Sequence, residues 1–268
     1  MSQRRARTLA HIGPSSYHYH PRRTSDAPLQ AQLLGLADRW RRFGYRRLTV
    51  MVRRNGTVAN HLRVYRLYRA LGLQVRRRKR KGRAVSRRAP ITPPTRCNER
   101  WSMDFMRDTL QDGRPFRLFN LVDDFSRECL AIEVDTSLSG QRVVRVLEQV
   151  AASRGLPRFV VLDNGPEFAS KVLDAWAYGH EVKLDFVDLG KPMQNAYIES
   201  FNGKCRDECL NENWFVDLAE ARRIIEAWRI TYNTLRPHGA LDNQPPEAFA
   251  RQTLNSANAE GVLAEVLQ

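Results

Sequence analysis

Lys191-Pro192-Met193-Gln194-Asn195-Ala196-Tyr197-Ile198-Glu199-Ser200-Phe201-Asn202 reads as the opening of a helix around which the chain is organised. Proline after Gly190 suits a first helical turn, because its fixed φ is already helical. Residues three and four apart are helical neighbours, so Asn195, Glu199 and Asn202 share a face while Ile198 and Phe201 turn inward. One carboxylate, Glu199, is therefore displayed on a rigid element among small and amide side chains. Upstream, Val160-Val161-Leu162-Asp163 is a short β-branched run that ends in an acid and is followed by Asn164-Gly165-Pro166. Further upstream, Trp101-Ser102-Met103-Asp104-Phe105 alternates large apolar with small or polar residues and carries another acid. Two acids on strands and one on a helix suit a two-metal phosphoryl-transfer site, since hard Mg²⁺ ions take oxygen ligands and keep several waters.

Taken together, these stretches resemble a known family. Asp104, Asp163 within Val161-Leu162-Asp163-Asn164-Gly165-Pro166-Glu167-Phe168, and Glu199 within Asn195-Ala196-Tyr197-Ile198-Glu199-Ser200-Phe201-Asn202 resemble the DDE triad of retroviral-integrase-like transposases. Between Asp163 and Glu199 lie 35 residues, the gap typical of that family. Tyr232-Asn233-Thr234-Leu235-Arg236-Pro237-His238 resembles the closing motif of bacterial insertion-sequence transposases encoded in two overlapping frames, and the chain is similar to their second-frame product. The resemblance runs from about Leu29 to Phe249. It implies an RNase H-like core with two Mg²⁺ (or Mn²⁺) ions, Asp104 bridging both, Asp163 holding one and Glu199 the other. It implies metal-dependent DNA cleavage and strand transfer, with the element's terminal inverted repeats and target DNA as substrates. A homo-oligomer on DNA and an upstream-frame product joined by ribosomal frameshifting are the implied protein partners. Two alternatives stay open: an RNase H-like nuclease or junction resolvase, and a non-catalytic DNA-binding regulator of transposition.

Charge is unevenly divided along the 268 residues, whose net charge is +15. Residues 1–100 hold 26 Lys/Arg against 3 Asp/Glu (net +23), and residues 101–268 hold 18 against 26 (net −8). A basic arm joined to an acidic core suggests an arm for phosphates and a core that gathers divalent metal. Cys97, Cys129, Cys205 and Cys209 form no disulfide framework, which fits reduced thiols in a cytoplasmic, nucleoid-associated protein. Cys205 and Cys209 are read as packing residues, and His18 and His20 lack the Cys partners of a zinc module, so no zinc is expected. No run approaches the ~20 apolar residues of a membrane span, so no membrane partner is expected.

In order, residues 1–27 lack an apolar period and read as a disordered basic arm. Residues 28–73 carry a helical period from Leu29 to Trp40, a second helix over Tyr45–Arg54, and a third from a Thr57 cap to Leu71 before Gly72. That pattern is a small all-α, helix-turn-helix-like domain whose Asn60, Arg63, Arg66 and Arg69 are candidates for DNA contact. Residues 74–98 form a basic, Pro-containing linker in which Arg76, Arg77, Arg78, Lys79, Arg80 and Lys81 could track phosphates. The core, residues 99–250, reads as α/β: strands near Arg100–Arg107, Phe116–Val122, Glu128–Val134, Arg158–Asp163 and Val182–Val187. Helices start at Ser139 and span Glu167–Tyr178, and the Glu199 helix follows. A three-strand meander followed by alternating helices and strands indicates a mixed five-stranded sheet flanked by helices, and residues 251–268 read as a tail.

Around the acids, Asn195 is a candidate for contact with DNA or a metal-bound water, and Asn164-Gly165 for a sharp turn. Lys204 and Arg206 could meet phosphates beside the scissile bond, with Arg206, on Glu199's face, preferred. Asp123 and Asp124 read as turn residues, and His238 as structural or DNA-contacting rather than catalytic.

Overall fold

The computed structural model describes residues 2–18, 25–75, 93–163, 165, 170–187 and 195–255. At the N-terminus two short helices, α1 (Gln3–Leu9) and α2 (Pro14–Tyr17), stand where sequence indicated a disordered arm. Neither buries a residue. Local bonding holds them: the Ser2 hydroxyl accepts from the Arg5 N–H, and the Arg7 guanidinium lies 5.6 Å from the Tyr17 ring. Helices α3 (Ala27–Arg39), α4 (Tyr45–Arg54) and α5 (His61–Ala70) then form a domain with its own core of Leu29, Leu33, Phe43, Leu48, Val52, Val64 and Leu67. The third helix starts later than the Thr57 cap implied. Asn60 caps it instead, its Oδ1 accepting from the Leu62 N–H at 2.9 Å.

The core domain rests on strict alternation along the strands β1 (Arg100–Thr109), β2 (Pro115–Asp123), β3 (Cys129–Asp135), β4 (Phe159–Leu162) and β5 (Lys183–Phe186). Their order is β3-β2-β1-β4-β5, with β1–β2 and β2–β3 antiparallel and β1–β4 and β4–β5 parallel. Successive side chains point to opposite faces. Trp101, Met103, Phe119, Leu121, Val160 and Leu162 therefore pack beneath α6 (Gly140–Arg154) and α7 (Lys171–Gly179). Met106, Phe116, Leu118 and Val122 face α8 (Ala196–Glu208) and α9 (Leu218–Thr234), against Ile198, Phe201, Cys205, Ile225 and Tyr232. A sheet buried on both faces is the architecture that the element order indicated.

Several boundaries differ from the sequence expectations, each for a local reason. The helix placed over Glu167–Tyr178 begins at Lys171, because the Ser170 hydroxyl caps it by accepting from the Leu173 N–H. The Glu199 helix begins at Ala196, with Asn195 as the residue before it; the proposed start at Pro192 lies outside the described residues. The expected C-terminal tail begins as helix, since residues 246–255 are helical. Of the linker, Arg76–Arg88 falls outside the described residues, as do Asn164 and His20. Cys205 and Cys209 are free thiols buried in the core beside α9.

The helical domain docks on the core through polar contacts. Arg42 pairs with Asp207, Arg47 donates to Glu208 at 3.0 Å, and Arg54 donates to the Leu235 and Asn243 carbonyls at 2.6 and 2.7 Å. Inside the core domain, the closing motif has a structural duty. The Asn233 carboxamide accepts from the Cys129 N–H at 2.9 Å and donates to the Cys129 carbonyl at 2.8 Å. It thereby completes β3 where its register with β2 shifts, between Leu121 and Val122. Replacing Asn233 by Leu leaves that buried N–H unpaired, at a cost of about 1–3 kcal/mol. The expected outcome is a melting temperature lower by ~2–4 °C per kcal/mol lost, read by thermal denaturation; an unchanged melting point overturns this role.

Candidate active site

Backbone register alone brings two of the three acids together. Strands β1 and β4 pair in parallel with Arg100 opposite Phe159, Trp101 opposite Val160 and Ser102 opposite Val161. Two residues further along, Asp104 stands level with Asp163, and neighbouring strands lie only ~4.7–4.9 Å apart. Both positions have the parity that faces α8, the helix that carries Glu199.

Helix α8 is tied to that spot by a hydrogen-bond relay. Asn202, one turn after Glu199, donates from Nδ2 to Asp104 Oδ2 at 2.7 Å. Its own Oδ1 accepts from Asn120 Nδ2 at 2.7 Å, and Asn120 is fully buried in the middle of β2. The other Asp104 oxygen accepts from the Phe105 N–H at 2.7 Å. Sequence reading placed Asn202 on the Glu199 face but missed Asn120; a lone amide in the apolar run Phe116–Val122 was the available signal.

Electrostatics at the three acids is unfavourable as it stands. Asp104 is half-buried, whereas Asp163 and Glu199 are exposed. Burial raises the Asp104 pKa to about 6, and the charges of Asp163 and Glu199 push it the same way against the two hydrogen bonds. Among the described residues no three Asp, Glu, His or Cys side chains converge as a closed ligand cluster. Like-charged carboxylates turn to other donors instead, as Asp163 does in accepting from the Gly165 N–H at 3.1 Å. The donor set is nonetheless all oxygen and anionic, which fits a hard divalent cation.

The remaining candidates divide. Arg206 does share the Glu199 face, but it is engaged: it pairs with Asp108 at 3.1 Å and donates to the Arg107 carbonyl at 2.6 Å. In this arrangement its charge pins the end of α8 to β1. Asn195 is buried, its side chain makes no capping bond, and its Oδ1 has no partner among the described residues. Asp123 and Asp124 do lie at a turn, but wholly buried. Asp123 accepts from the N–H groups of Asn98, Phe125 and Ser126, and Asp124 pairs with Arg100 at 2.6 Å. On α5, Arg63 and Arg66 both hold Asp26, at 2.7 and 2.6 Å, while Asn60 serves as the cap. Arg69 follows them on the same helix, and Arg76, Arg77, Arg78, Lys79, Arg80 and Lys81 lie outside the described residues.

Comparison with known proteins agrees with this architecture. Residues 94–192 and 180–246 match two families described as integrase core domain, and residues 25–81 match an HTH-like domain. The 31.7 kDa protein of insertion element IS407 from Burkholderia multivorans is 47% identical over 268 residues, covering 100% of this chain and 97% of that protein. The 39.2 kDa protein of insertion element IS476 from Xanthomonas euvesicatoria is 45% identical over 251 residues, covering 93% and 72%. The transposase of insertion sequence element IS904 from Lactococcus lactis is 26% identical over 224 residues, covering 78% and 88%. Among solved structures, a chain of the simian T-cell lymphotropic virus intasome superposes with a TM-score of 0.55 at 17% identity, covering 82% of this chain and 74% of that one. At that identity the likeness speaks for the fold. With a relative this similar along its whole length, an HTH-like domain and an integrase core on an RNase H-like sheet, the chain belongs to the insertion-sequence transposases of the retroviral-integrase-like superfamily.

Proposed function

We propose that the chain cleaves DNA at the ends of its element and joins those ends to target DNA, with Asp104, Asp163 and Glu199 as the catalytic acids. The observation that carries this reading is the register that sets Asp104 beside Asp163, joined to α8 through Asn202. The three carboxylates would hold two Mg²⁺ or Mn²⁺ ions, which supply Lewis-acid stabilisation of charge at the phosphoryl oxygens. The chain's own residues do the rest. Asn202 fixes the rotation of the Asp104 carboxylate, Asn120 fixes Asn202, and the Phe105 N–H holds the second oxygen. Helix α5 with Arg69, and the basic stretch Arg76–Lys81, supply contacts to the duplex. A homo-oligomer assembled on DNA is part of the same reading.

Expected outcomes for the site variants are sharp. Asp163→Asn and Glu199→Gln abolish cleavage and joining of an end-containing duplex and leave DNA affinity within about twofold, because the affinity comes from the basic N-terminal half. Near-normal strand transfer by either purified variant sinks the assignment. Activity is expected with Mg²⁺ or Mn²⁺ and not in chelator.

A stability measurement tests the same site without turnover. Asp104 has a folded-state pKa of about 6 against an ordinary value of 3.8. The folded chain therefore holds that proton more tightly than the unfolded chain, and Asp104 contributes stability that is fully present below the ordinary value. That contribution is lost as pH rises through about 6. In chelator, wild type should lose melting temperature relative to Asp104→Asn across that window, and Mg²⁺ should restore it in wild type alone. Parallel pH profiles for the two proteins overturn the raised pKa of Asp104.

We also propose that end recognition needs the upstream-frame product. The one reading unit here is the domain of α3 to α5, and a single module of this kind buries about 600–1,000 Å² of its surface on DNA. Competition between terminal-repeat and random duplex is expected to show weak preference for the isolated chain and strong preference after fusion to that product. A preference of ~10³ or more without the fusion refutes this.

A further inference from the structure

A second line of side chains on α8 serves no purpose in the acid site. Tyr197, Lys204 and Glu208 are seven and four residues apart, so they project along one stripe, turned away from Glu199 and Asn202. Facing that stripe are Arg236 and His238 of the closing loop, Arg127 of the β2–β3 turn, and Arg47 of α4. Glu208 is the acid of this group, and its oxygens are already taken: Arg236 donates to it twice, at 2.7 and 2.6 Å, and Arg47 once, at 3.0 Å. Lys204 donates to the neutral Ser200 hydroxyl at 3.0 Å. Arg127 donates to the Asp124 carbonyl and lies over the Tyr197 ring, 3.9 Å from its centre.

His238 stands in the middle of this charge. It is only 9% exposed, and neither Nδ1 nor Nε2 has a hydrogen-bond partner among the described residues. Buried polar atoms are nearly always bonded, and an orphan pair in a cationic setting is costly. Burial, and after it the charges of Lys204, Arg236, Arg127 and Arg47, drive the pKa of the imidazole down to about 3. Lys204 is itself pushed down to about 7, chiefly by burial and then by Arg236. Four basic side chains thus gather near one carboxylate that two of them already engage, around a histidine whose ring nitrogens have no partner among the described residues. An anion with several acceptor oxygens offsets the positive charge and accepts from the one ring nitrogen that carries the N–H.

We propose that the pocket framed by Lys204, Arg127, Arg236 and His238 binds one phosphate oxyanion, and that its occupant is a backbone phosphate of bound DNA. The inference rests on the reading that this chain works on DNA. Phosphate matches the donors: Lys and Arg make charge-assisted bonds, and the neutral imidazole adds one N–H. A DNA source follows from position. Arg47 of α4 bonds Glu208 of the helix that carries Glu199, so the cluster lies where the helical domain meets the core, on the side a strand held by both would reach. In this role the closing motif acts as a phosphate clamp between the reading domain and the acids.

The test uses the full chain in chelator, so that strand cleavage plays no part in the readout. Inorganic phosphate is titrated at constant ionic strength, with thermal melting and the ³¹P line width as readouts. A fluorescent duplex is then titrated by anisotropy over a range of salt concentrations. Phosphate should broaden its signal and raise the melting point of wild type, and Lys204→Gln and Arg127→Gln should each lose both effects. Each variant should also lower the slope of log affinity against log salt by about 0.9, the value for one phosphate contact. The double variant should lower it by the same ~0.9, since both side chains hold one phosphate. An unchanged slope in both single variants overturns the DNA assignment; if phosphate still binds wild type in that case, the occupant is free phosphate. A double variant that loses twice the single loss overturns the shared pocket and marks two separate surface contacts. Should Lys204→Gln not fold, Arg127→Gln reads the same quantities. Asp163→Asn in the same titration should keep the full slope, so failure of the catalytic reading and failure of this site remain distinguishable.

Discussion

Burial of one side of α8 is the constraint on which both functional regions depend. Ile198, Phe201 and Cys205 sit at or near zero exposure against Phe116, Leu118 and Val122 of the sheet and Tyr232 of α9. Each fully buried side chain of this size contributes roughly 1.5–3 kcal/mol, which is enough to fix the rotation of the helix about its axis. Successive residues are ~100° apart on a helix with 3.6 residues per turn. With the apolar stripe pinned, Glu199, Asn202 and Arg206 must face β1, and Tyr197, Lys204 and Glu208 must face the closing loop. A slip of one position would turn Glu199 away from Asp104.

The polar groups around this helix are arranged in pairs with different costs. Asn120, Asn202 and Asp104 form a chain in which each bond orients the next group, so an amide in the middle of an apolar strand acquires a purpose. The ion pair between Arg236 and Glu208 is deeply buried, and Glu208 also receives Arg47 from the other domain. Removing one partner of such a pair is far more costly than the pair is worth in stability. Exposed pairs such as Arg251–Glu247 contribute little by comparison. The buried charges are thus best understood as devices of position: they hold α4, α8 and the closing loop in one arrangement.

Strain is concentrated where the chemistry is expected. Asp104 keeps a raised pKa in the company of two other acids, and His238 keeps two unpartnered nitrogens in the company of four cations. Local rules of charge pairing and hydrogen bonding hold over most of the described chain; besides these two places, the buried atoms without a partner among the described residues include Asn195 Oδ1 and Trp176 Nε1. Such local inconsistency is characteristic of ligand sites. The two regions lie on different stripes of one helix.

Sequence by itself determined the three acids, the 35-residue interval between Asp163 and Glu199, the helical identity of the Glu199 segment and the order of strands and helices. Those features are local: a β-branched run, a helical period and a Gly turn are read from neighbours within a few residues. Caps were less legible, because Thr57 and Asn60 are both competent caps and only the packing of α5 chooses between them. What the tertiary structure alone decided is which polar groups meet across long separations. Asn120 finds Asn202, Asn233 patches Cys129, Arg206 meets Asp108, and Lys204 lies near Arg127 and His238. Their spacing in the chain carries no periodic signal, since these encounters are set by sheet register and by the rotation of α8, and both are settled only when the apolar faces close on each other.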